Sequence, residues 1–290
     1  MITQKPIFIF GTGRSGTTVF HEMLCEHPNL AWTSHFCNFF PAKPVVNRAL
    51  MHAIDIPWLG KVLKKKIVPV ETYRFWDHYF PGFSLPCRDL VASDASVRIK
   101  KRLNAPMSKL TTQKRDRIAH KITGWPRIGF LNEVFPDAKF IHVVRDGRAV
   151  ANSMLNVDFW DGWEGPAKWI YGSLPKQYEK EWNSYNQSFV VLAALQWKML
   201  MDAAAEALKQ IDPSRVLEIR YEDMCPDPIP TFKKVAEFCD IPWDEKFEGK
   251  LKNYTMRNTN DKYKKDLTLQ QQDMLNAVLH EYLHELGYSV

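Results

Sequence analysis

A glycine-bearing loop near the amino terminus has the residue types of an anion-binding site. Residues 11–18 read GTGRSGTT and lie between a short apolar run at 6–10 and apolar residues at helical spacing over 19–24. In a strand-to-helix loop, backbone N–H groups converge on an anion at the helix N-terminus. The spacing is G-x-x-x-x-G, but Thr17 stands where nucleotide phosphate loops carry Lys, and Arg14 lies inside the loop. The loop therefore predicts an oxyanion site that differs from an ATP or GTP loop.

The glycines of this loop also fit the G-x-G-x-x-G pattern of dinucleotide-binding proteins. That pattern requires an acidic residue at the end of a second strand, about 20 residues further on. No such residue is evident in the sequence. A dinucleotide site is therefore not expected.

A second basic motif follows a later apolar strand. The segment 139–153 reads KFIHVVRDGRAVANS, so Arg145 leaves the carboxyl end of the predicted strand. Ligands of open α/β sheets bind at this end. Ser153 comes eight residues later, about two helical turns on and on the same face. Together, Arg145 and Ser153 predict a site for a second anionic group.

Strands and helices alternate along the chain, which predicts an α/β fold with a mostly parallel central sheet flanked by helices. The predicted strands are 6–10, 118–122, 139–144 and 215–220. The predicted helices include 149–155, 189–211, 230–239 and 269–286. Two aromatic-rich connections, 73–83 and 157–171, either pack onto the core or form the wall of a substrate cleft.

Composition narrows the class of protein. The 290 residues are 45% hydrophobic and 25% charged, and neither a secretory leader nor a membrane span is expected, which favours a soluble cytoplasmic protein. Five scattered cysteines without a C-x-x-C pair argue against a disulfide framework and a zinc site. The net charge of +6 favours an anionic small ligand, and its short, dispersed clusters argue against nucleic acid.

The two basic motifs resemble those of the sulfotransferases that use 3′-phosphoadenosine 5′-phosphosulfate (PAPS), and most closely the branch with the tyrosylprotein sulfotransferases and many bacterial enzymes. The resemblance extends to HPNL, VRDGRAVANSM, RYEDM, FCDIPW, KYKKDL and the final ELGY. It covers residues 6 to 288 except for about 40–115. It implies a P-loop-like three-layer sandwich, in which 1–290 form a single sulfotransferase domain and about 40–115 form a variable insertion that sets substrate specificity.

The resemblance also assigns cofactor-binding residues. It places the 5′-phosphosulfate at Arg14, Ser15, Gly16, Thr17 and Thr18, and the 3′-phosphate at Arg145 and Ser153. It places Tyr221 near the nucleotide, Lys262 near the cofactor and Lys121 near the bridging oxygen of PAPS. No metal is expected, because the family needs no Mg²⁺ and this sequence shows no metal-binding acidic motif.

Sulfuryl transfer resembles phosphoryl transfer, in which positioning and charge stabilisation dominate. Arg14 and Lys121 are the expected stabilisers of the developing charge. The tyrosylprotein branch has a catalytic Glu at the position of His35, and a histidine is a suitable general base near neutral pH. The other candidate bases, all in the segment that the resemblance does not cover, are Glu71, Asp77 and His78.

We therefore predict a sulfotransferase that moves a sulfuryl group from PAPS to a hydroxyl or amine of a small-molecule, lipid or saccharide acceptor and releases PAP. The alternatives are a P-loop small-molecule kinase, which the missing Lys disfavours, and another nucleotide-binding protein. The sequence leaves the oligomeric state open, a homodimer included.

Overall fold

The computed structural model describes residues 5–289. Within that range, five strands form a single parallel sheet in the order β2-β3-β1-β4-β5. Their bounds are β1 (Ile7–Gly11), β2 (Leu30–Ala31), β3 (Arg117–Thr123), β4 (Lys139–Val144) and β5 (Val216–Arg220). In the register, Ile9 of β1 lies beside Lys121 of β3 and Ile141 of β4.

Helices connect and cover the strands. Those of the first half are α1 (Thr17–Cys25), α2 (His35–Phe39), α3 (Pro44–Ile54), α4 (Pro57–Leu63), α5 (Tyr73–Tyr79), α6 (Val97–Ser108) and α7 (Ile128–Val134). Those of the second half are α8 (Gly147–Leu155), α9 (Lys176–Ser184), α10 (Phe189–Leu208), α11 (Tyr221–Met224), α12 (Pro228–Phe238), α13 (Glu245–Leu251), α14 (Tyr263–Asp266), α15 (Leu269–Val278) and α16 (His280–Glu285).

Both faces of the sheet are buried, because successive strand residues point to opposite sides. Along β1, Ile7 and Ile9 pack into a core with α1 and α12, whereas Phe8 and Phe10 pack into a core with α5 and α7. A further core lies between α8, α10 and α15. The predicted α/β sandwich of three layers is therefore confirmed.

The four predicted strands are present: 139–144 matches at both ends, and the bounds of the other three differ by at most one residue. The sequence missed β2, which has two residues and pairs with β3 at the sheet edge. The predicted helix 269–286 is instead two helices, α15 and α16, separated at Leu279. Leu279 is buried and keeps the apolar spacing, so periodicity alone cannot show the break.

The unmatched segment 40–115 folds mainly into helices α3 to α6. Its aromatic part, 73–83, contributes both to the core and to a cleft: Trp76 is fully buried, while Tyr73 lines a pocket. No helix within residues 5–289 is long and apolar enough to cross a membrane.

The order of the strands fixes where a ligand can bind. From β1 the chain leads to β3 on one side of it, and the next strand, β4, lies on the other side. A crevice opens at such a switch point, outside the carboxyl ends of the strands. The glycine-bearing loop follows β1 at this point.

Candidate active site

The loop after β1 is shaped by two glycines that no larger residue could replace without strain. A Cβ on Gly11 would lie 2.5 Å from the Val143 carbonyl oxygen, and one on Gly16 would lie 2.3 Å from Cδ2 of Tyr221. Gly16 also has φ +85° and precedes α1 without a side-chain cap. The first N–H groups of α1 therefore face the crevice as anion donors.

Inside the loop, the side chains of Ser15 and Thr17 are buried, and the Thr12 and Ser15 hydroxyls form a hydrogen bond of 2.5 Å. Arg14 is exposed at φ +68°, and its Nε donates to the Ser153 hydroxyl at 2.9 Å. The structure thus joins a residue predicted for the 5′-phosphosulfate to one predicted for the 3′-phosphate.

Lys121 connects the loop to the segment before α5. Its ammonium Nζ donates to the Thr18 hydroxyl at 2.6 Å and lies 3.5 Å from Oε1 of Glu71. The Thr123 hydroxyl donates a short hydrogen bond to the same Glu71 oxygen. A carboxylate, an ammonium and the first turn of α1 therefore meet at the carboxyl end of β3.

Two buried histidines lie beside Lys121, on α1 and β3. Burial, together with the nearby Lys121 charge, lowers the pKa of His21 to about 3. Burial, with His21 and Lys121 adding to it, lowers the pKa of His120 to about 3. Both rings are neutral at neutral pH, so they add no positive charge to the site.

Arg145 is 7% exposed and is held by three hydrogen bonds, each of 2.9 Å. It donates to the Arg14 carbonyl, the Thr259 hydroxyl and the Asn260 amide oxygen. Its guanidinium also stacks 4.5 Å from the centre of the Tyr221 ring. A guanidinium has five N–H donors, so this arrangement orients the fork and leaves donors for an anion.

Tyr221 contacts residues of both predicted subsites. One side of its ring packs against Gly16, its hydroxyl donates to the Arg257 carbonyl at 3.0 Å, and its face carries Arg145. Tyr221 and the hydrogen bond from Arg145 to the Arg14 carbonyl together fix the position of Arg145 relative to the loop.

The sequence analysis did not identify the 259–260 turn or Glu222. Asn260 donates a short hydrogen bond to Glu222, which also accepts from the Asp146 N–H at 3.1 Å. This network holds the turn against Arg145. Two sequence features could have indicated these residues: the polar run RNTND just before Lys262, and the acidic residues of the RYEDM segment.

The remaining site residues predicted from the sequence differ in whether they contact Lys121 and its neighbours. Lys262 is exposed, and His35 is the exposed first residue of α2, four residues after the end of β2. Neither takes part in a hydrogen bond or ion pair with a side chain of the described residues, so their roles stay predictions. Asp77 accepts hydrogen bonds from Ser84 and closes a turn, and His78 is exposed. Among the reserve bases, Glu71 is the one in contact with Lys121.

A cavity of about 250 Å³ opens beside the same centre. Gly13 and Thr123 border it on the side of the anion site. The rest of its wall is mostly aromatic or apolar and comes from both predicted aromatic segments and the residues near them: Tyr73, Pro86, Trp125, Met154, Phe159, Trp160, Ile170 and Tyr171. An apolar compartment therefore adjoins a cationic one.

Within residues 5–289, no group of three or more His, Cys, Asp or Glu side chains is arranged to hold a metal ion.

Several known proteins that are similar to this chain are named sulfotransferases. The omega-hydroxy-beta-dihydromenaquinone-9 sulfotransferase Stf3 of Mycobacterium tuberculosis is 23% identical over 325 aligned positions, which include 99% of this chain and 76% of that protein. Protein-tyrosine sulfotransferase A of Caenorhabditis elegans is 26% identical over 117 positions, 40% of this chain. The chain spans about a quarter of that protein and of a matching uncharacterized protein of Aquifex aeolicus, 25% and 26%.

Solved structures share the fold. The sulfotransferase STF9 of Mycobacterium avium superposes with a TM-score of 0.62 at 19% identity, over 100% of this chain and 79% of that one. The sulfotransferase domain of the curacin biosynthetic pathway superposes with a TM-score of 0.52 at 15% identity, over 100% of both chains.

A family model described as the Sulfotransferase family matches residues 6–245, which include the loop, Lys121, Arg145, Ser153 and Tyr221. The resemblance drawn from the two basic motifs is thereby confirmed. The chain belongs to the sulfotransferase family.

Proposed function

We propose that this chain transfers the sulfuryl group of PAPS to a hydroxyl of an apolar acceptor, with Glu71 as the general base. One observation carries the proposal: a chain of contacts runs from Thr18, next to the anion loop, through Lys121 and Glu71 to Thr123, which lines the aromatic cavity. The two reactants of a transfer must meet at such a junction.

The residues present fit a nucleotide that carries two separate anionic groups. Lys121 and Arg145 are each 7% exposed, and the Glu71 carboxylate that pairs with Lys121 is 3.5 Å away. Buried cations without a tight anionic partner are costly, and an anionic ligand offsets that cost. The α1 N-terminus and the open donors of Arg145 provide two separate anion sites, which agrees with the 5′-phosphosulfate and 3′-phosphate of PAPS.

Bound PAPS supplies the sulfuryl group and leaves as PAP. Glu71, which is hydrogen-bonded to Thr123 of the cavity wall, removes the proton of the acceptor hydroxyl, while Thr123 and Lys121 fix the orientation of its carboxyl group. Lys121 donates toward α1 and places its positive charge where negative charge grows during transfer. Arg145 holds the 3′-phosphate on the far side of Tyr221.

The cavity favours one acceptor class among those predicted. Its wall is largely aromatic and aliphatic, which suits a ring-bearing or lipid-like alcohol better than a saccharide. Stf3, a relative that aligns with 99% of the chain, is named for a menaquinone derivative. Because Tyr73 and Pro86 lie in the unmatched segment, we assign part of the acceptor specificity to residues 40–115.

The rival kinase function lacks support, because Thr17 replaces the lysine of nucleotide phosphate loops and the chain matches a sulfotransferase family. The homodimer, the cytoplasmic location and the single-domain organisation stay predictions.

The test is thermal unfolding with PAP, with adenosine 5′-phosphosulfate and with ATP·Mg²⁺, followed by transfer of labelled sulfate from PAPS to a panel of alcohols. A ligand at about 100 times its Kd stabilises by about 2.7 kcal/mol, a shift of several degrees. We expect PAP to stabilise the wild type and the matched variant Arg98→Ala, which changes an exposed arginine. Arg145→Ala should abolish the PAP-induced shift. Equal stabilisation by ATP·Mg²⁺ would contradict the proposal.

A further inference from the structure

Exposed apolar side chains are concentrated in one short part of the surface. Within residues 5–289, sixteen large hydrophobic side chains are exposed, and half of them lie between residues 36 and 68. These eight are Phe36, Phe39, Phe40, Val45, Ile56, Trp58, Val62 and Val68. Single exposed apolar residues are ordinary, but such a concentration marks an interaction surface. We call the exposed surface of residues 35–70 the α2–α4 face.

The same segment has an excess of positive charge nearly as large as that of the whole chain. Its six basic residues are Lys43, Arg48, Lys61, Lys64, Lys65 and Lys66, and its single acidic residue is Asp55. Its net charge is therefore 6 − 1 = +5, against +6 for the whole chain.

Existing ion pairs neutralise only part of that charge. Asp55 is bound by Lys114 and Arg115 from outside the segment, and Lys64 pairs with Glu26 at 3.1 Å. Across residues 5–289, no acidic side chain lies within ion-pair distance of Lys61 or Lys65. The face therefore presents uncompensated positive charge.

Helix α4 presents both residue types on one side. Trp58 and Val62, at positions i and i+4, are 73% and 55% exposed. The exposed Lys61 lies three residues after Trp58, and Lys65 is exposed in the turn that follows α4. The opposite side is fixed to α3, because Gly60 lies so close that a Cβ there would be 2.1 Å from the Ile54 carbonyl oxygen. The exposed stripe of α4 is therefore held outward by packing.

We propose that the α2–α4 face docks on the surface of an anionic lipid bilayer. Tryptophan and phenylalanine insert at the level of the headgroups, and lysines beside them bind anionic lipids while their stems lie along the apolar boundary. Protein interfaces, in contrast, are depleted in lysine. The interleaving of Trp58 and Val62 with Lys61 and Lys65 thus fits a bilayer better than a protein partner.

The position of the face gives docking a consequence for catalysis. The segment between β2 and α2 runs along β3, where the Thr33 hydroxyl lies 3.1 Å from His120, and Asn38 of α2 donates to the backbone carbonyl of Glu71 at 3.2 Å. Docking therefore brings the active-site edge close to a membrane, where a lipid-like acceptor resides. This consequence rests on the proposed function, whereas the docking itself does not.

The experiment is flotation of the purified protein with phosphatidylcholine vesicles, with and without phosphatidylglycerol, at low and high salt. We expect binding only to the anionic vesicles and weaker binding at high salt, since exposed charges are screened. Each lysine near an anionic surface strengthens binding about fivefold, so Lys61→Glu with Lys65→Glu should weaken it at least about tenfold. Trp58→Ser with Val62→Ser should weaken it similarly, by removing the inserted side chains.

Matched controls lie elsewhere on the surface. Lys101→Glu with Lys109→Glu makes the same change in net charge at exposed sites of α6 and just beyond it, and Val97→Ser with Leu269→Ser removes two exposed apolar residues. Both control pairs should bind vesicles within about threefold of the wild type. An unchanged thermal unfolding transition without ligand shows that each variant is folded, so this control does not depend on the proposed function.

Three results would overturn the proposal: no binding to anionic vesicles, equal loss in the control pairs, or equal binding to uncharged vesicles. Light scattering measures self-association and so tests whether a second copy of the chain occupies the face. If Trp58→Ser with Val62→Ser abolishes self-association and leaves vesicle binding intact, the face binds a second copy of the chain instead.

Discussion

The choice between Glu71 and His35 as the general base depends on side-chain contacts that the sequence does not show. His35 occupies the position of a catalytic glutamate in a related branch, yet it is exposed and shows no contact with Lys121. Glu71 makes that contact and also accepts from Thr123. Motif order led to Lys121, Arg145 and Ser153, but Glu71 lies in the unmatched segment, where no motif singles out one carboxylate.

Glu71→Gln should lower kcat for sulfuryl transfer by about 10²- to 10⁴-fold, because the amide cannot accept the proton. Single-turnover transfer from labelled PAPS measures the effect. PAP-induced stabilisation should stay at the wild-type level, since Glu71 is not placed at either phosphate site. The matched variant His35→Asn should change kcat less than about threefold. Large loss in His35→Asn with normal turnover in Glu71→Gln would restore His35 as the base.

The loop after β1 shows what a motif can and cannot predict about an element. Its glycines and its place between strand and helix predict an anion site from the sequence alone. The contact that makes Gly16 irreplaceable involves Tyr221, which is more than 200 residues away and reaches the loop only through the pairing of β5 with β4. The same limit explains β2, whose two residues become a strand only beside β3.

Gly16→Ala should destabilise the fold and abolish PAP binding. The new Cβ would lie 2.3 Å from Tyr221, and alanine at φ +85° is strained, so we expect a cost of about 1–3 kcal/mol and a Tm lower by several degrees. Gly249→Ala is the matched control: it lies inside α13, and its Cβ would meet nothing within 4 Å. It should leave Tm unchanged or raise it slightly. Similar losses in the two variants would contradict this account of the loop.

Across the whole molecule, a buried chain of hydrogen bonds holds the segment that contains Glu71 to the central sheet. The Trp76 indole N–H donates to Nε2 of His120 at 2.6 Å, so the His120 proton resides on Nδ1 and is donated to the Thr33 hydroxyl at 3.1 Å. Thr33 donates in turn to the Val70 carbonyl at 3.1 Å. The arrangement requires a neutral imidazole, because a proton on Nε2 would face the Trp76 donor.

This requirement couples the stability of the molecule to pH. The pKa of His120 falls from 6.5 to about 3 on folding, mainly through burial, and that of His21 does the same. Between these pH values the unfolded chain binds protons that the folded chain does not. Stability is therefore complete above about pH 6.5 and declines as the pH falls, by about 1.4 kcal/mol per pH unit for each histidine. Asp89 acts in the opposite direction, because burial raises its pKa from 3.8 to about 6.

Comparing the wild type with His120→Asn separates the contribution of His120 to the pH dependence of stability from that of Asp89 and the other carboxyl groups. Urea unfolding at about pH 7, 6 and 5 should show the wild type losing about 0.7 kcal/mol of its advantage over the variant from pH 7 to 6 and about 1.2 kcal/mol from pH 6 to 5, since asparagine does not titrate. His21→Asn should behave alike, and His52→Asn, at an exposed site, should follow the wild-type curve. A constant gap between wild type and His120→Asn would mean that this imidazole is not kept neutral by the fold, and the hydrogen-bond chain from Trp76 to Val70 would then need another donor order.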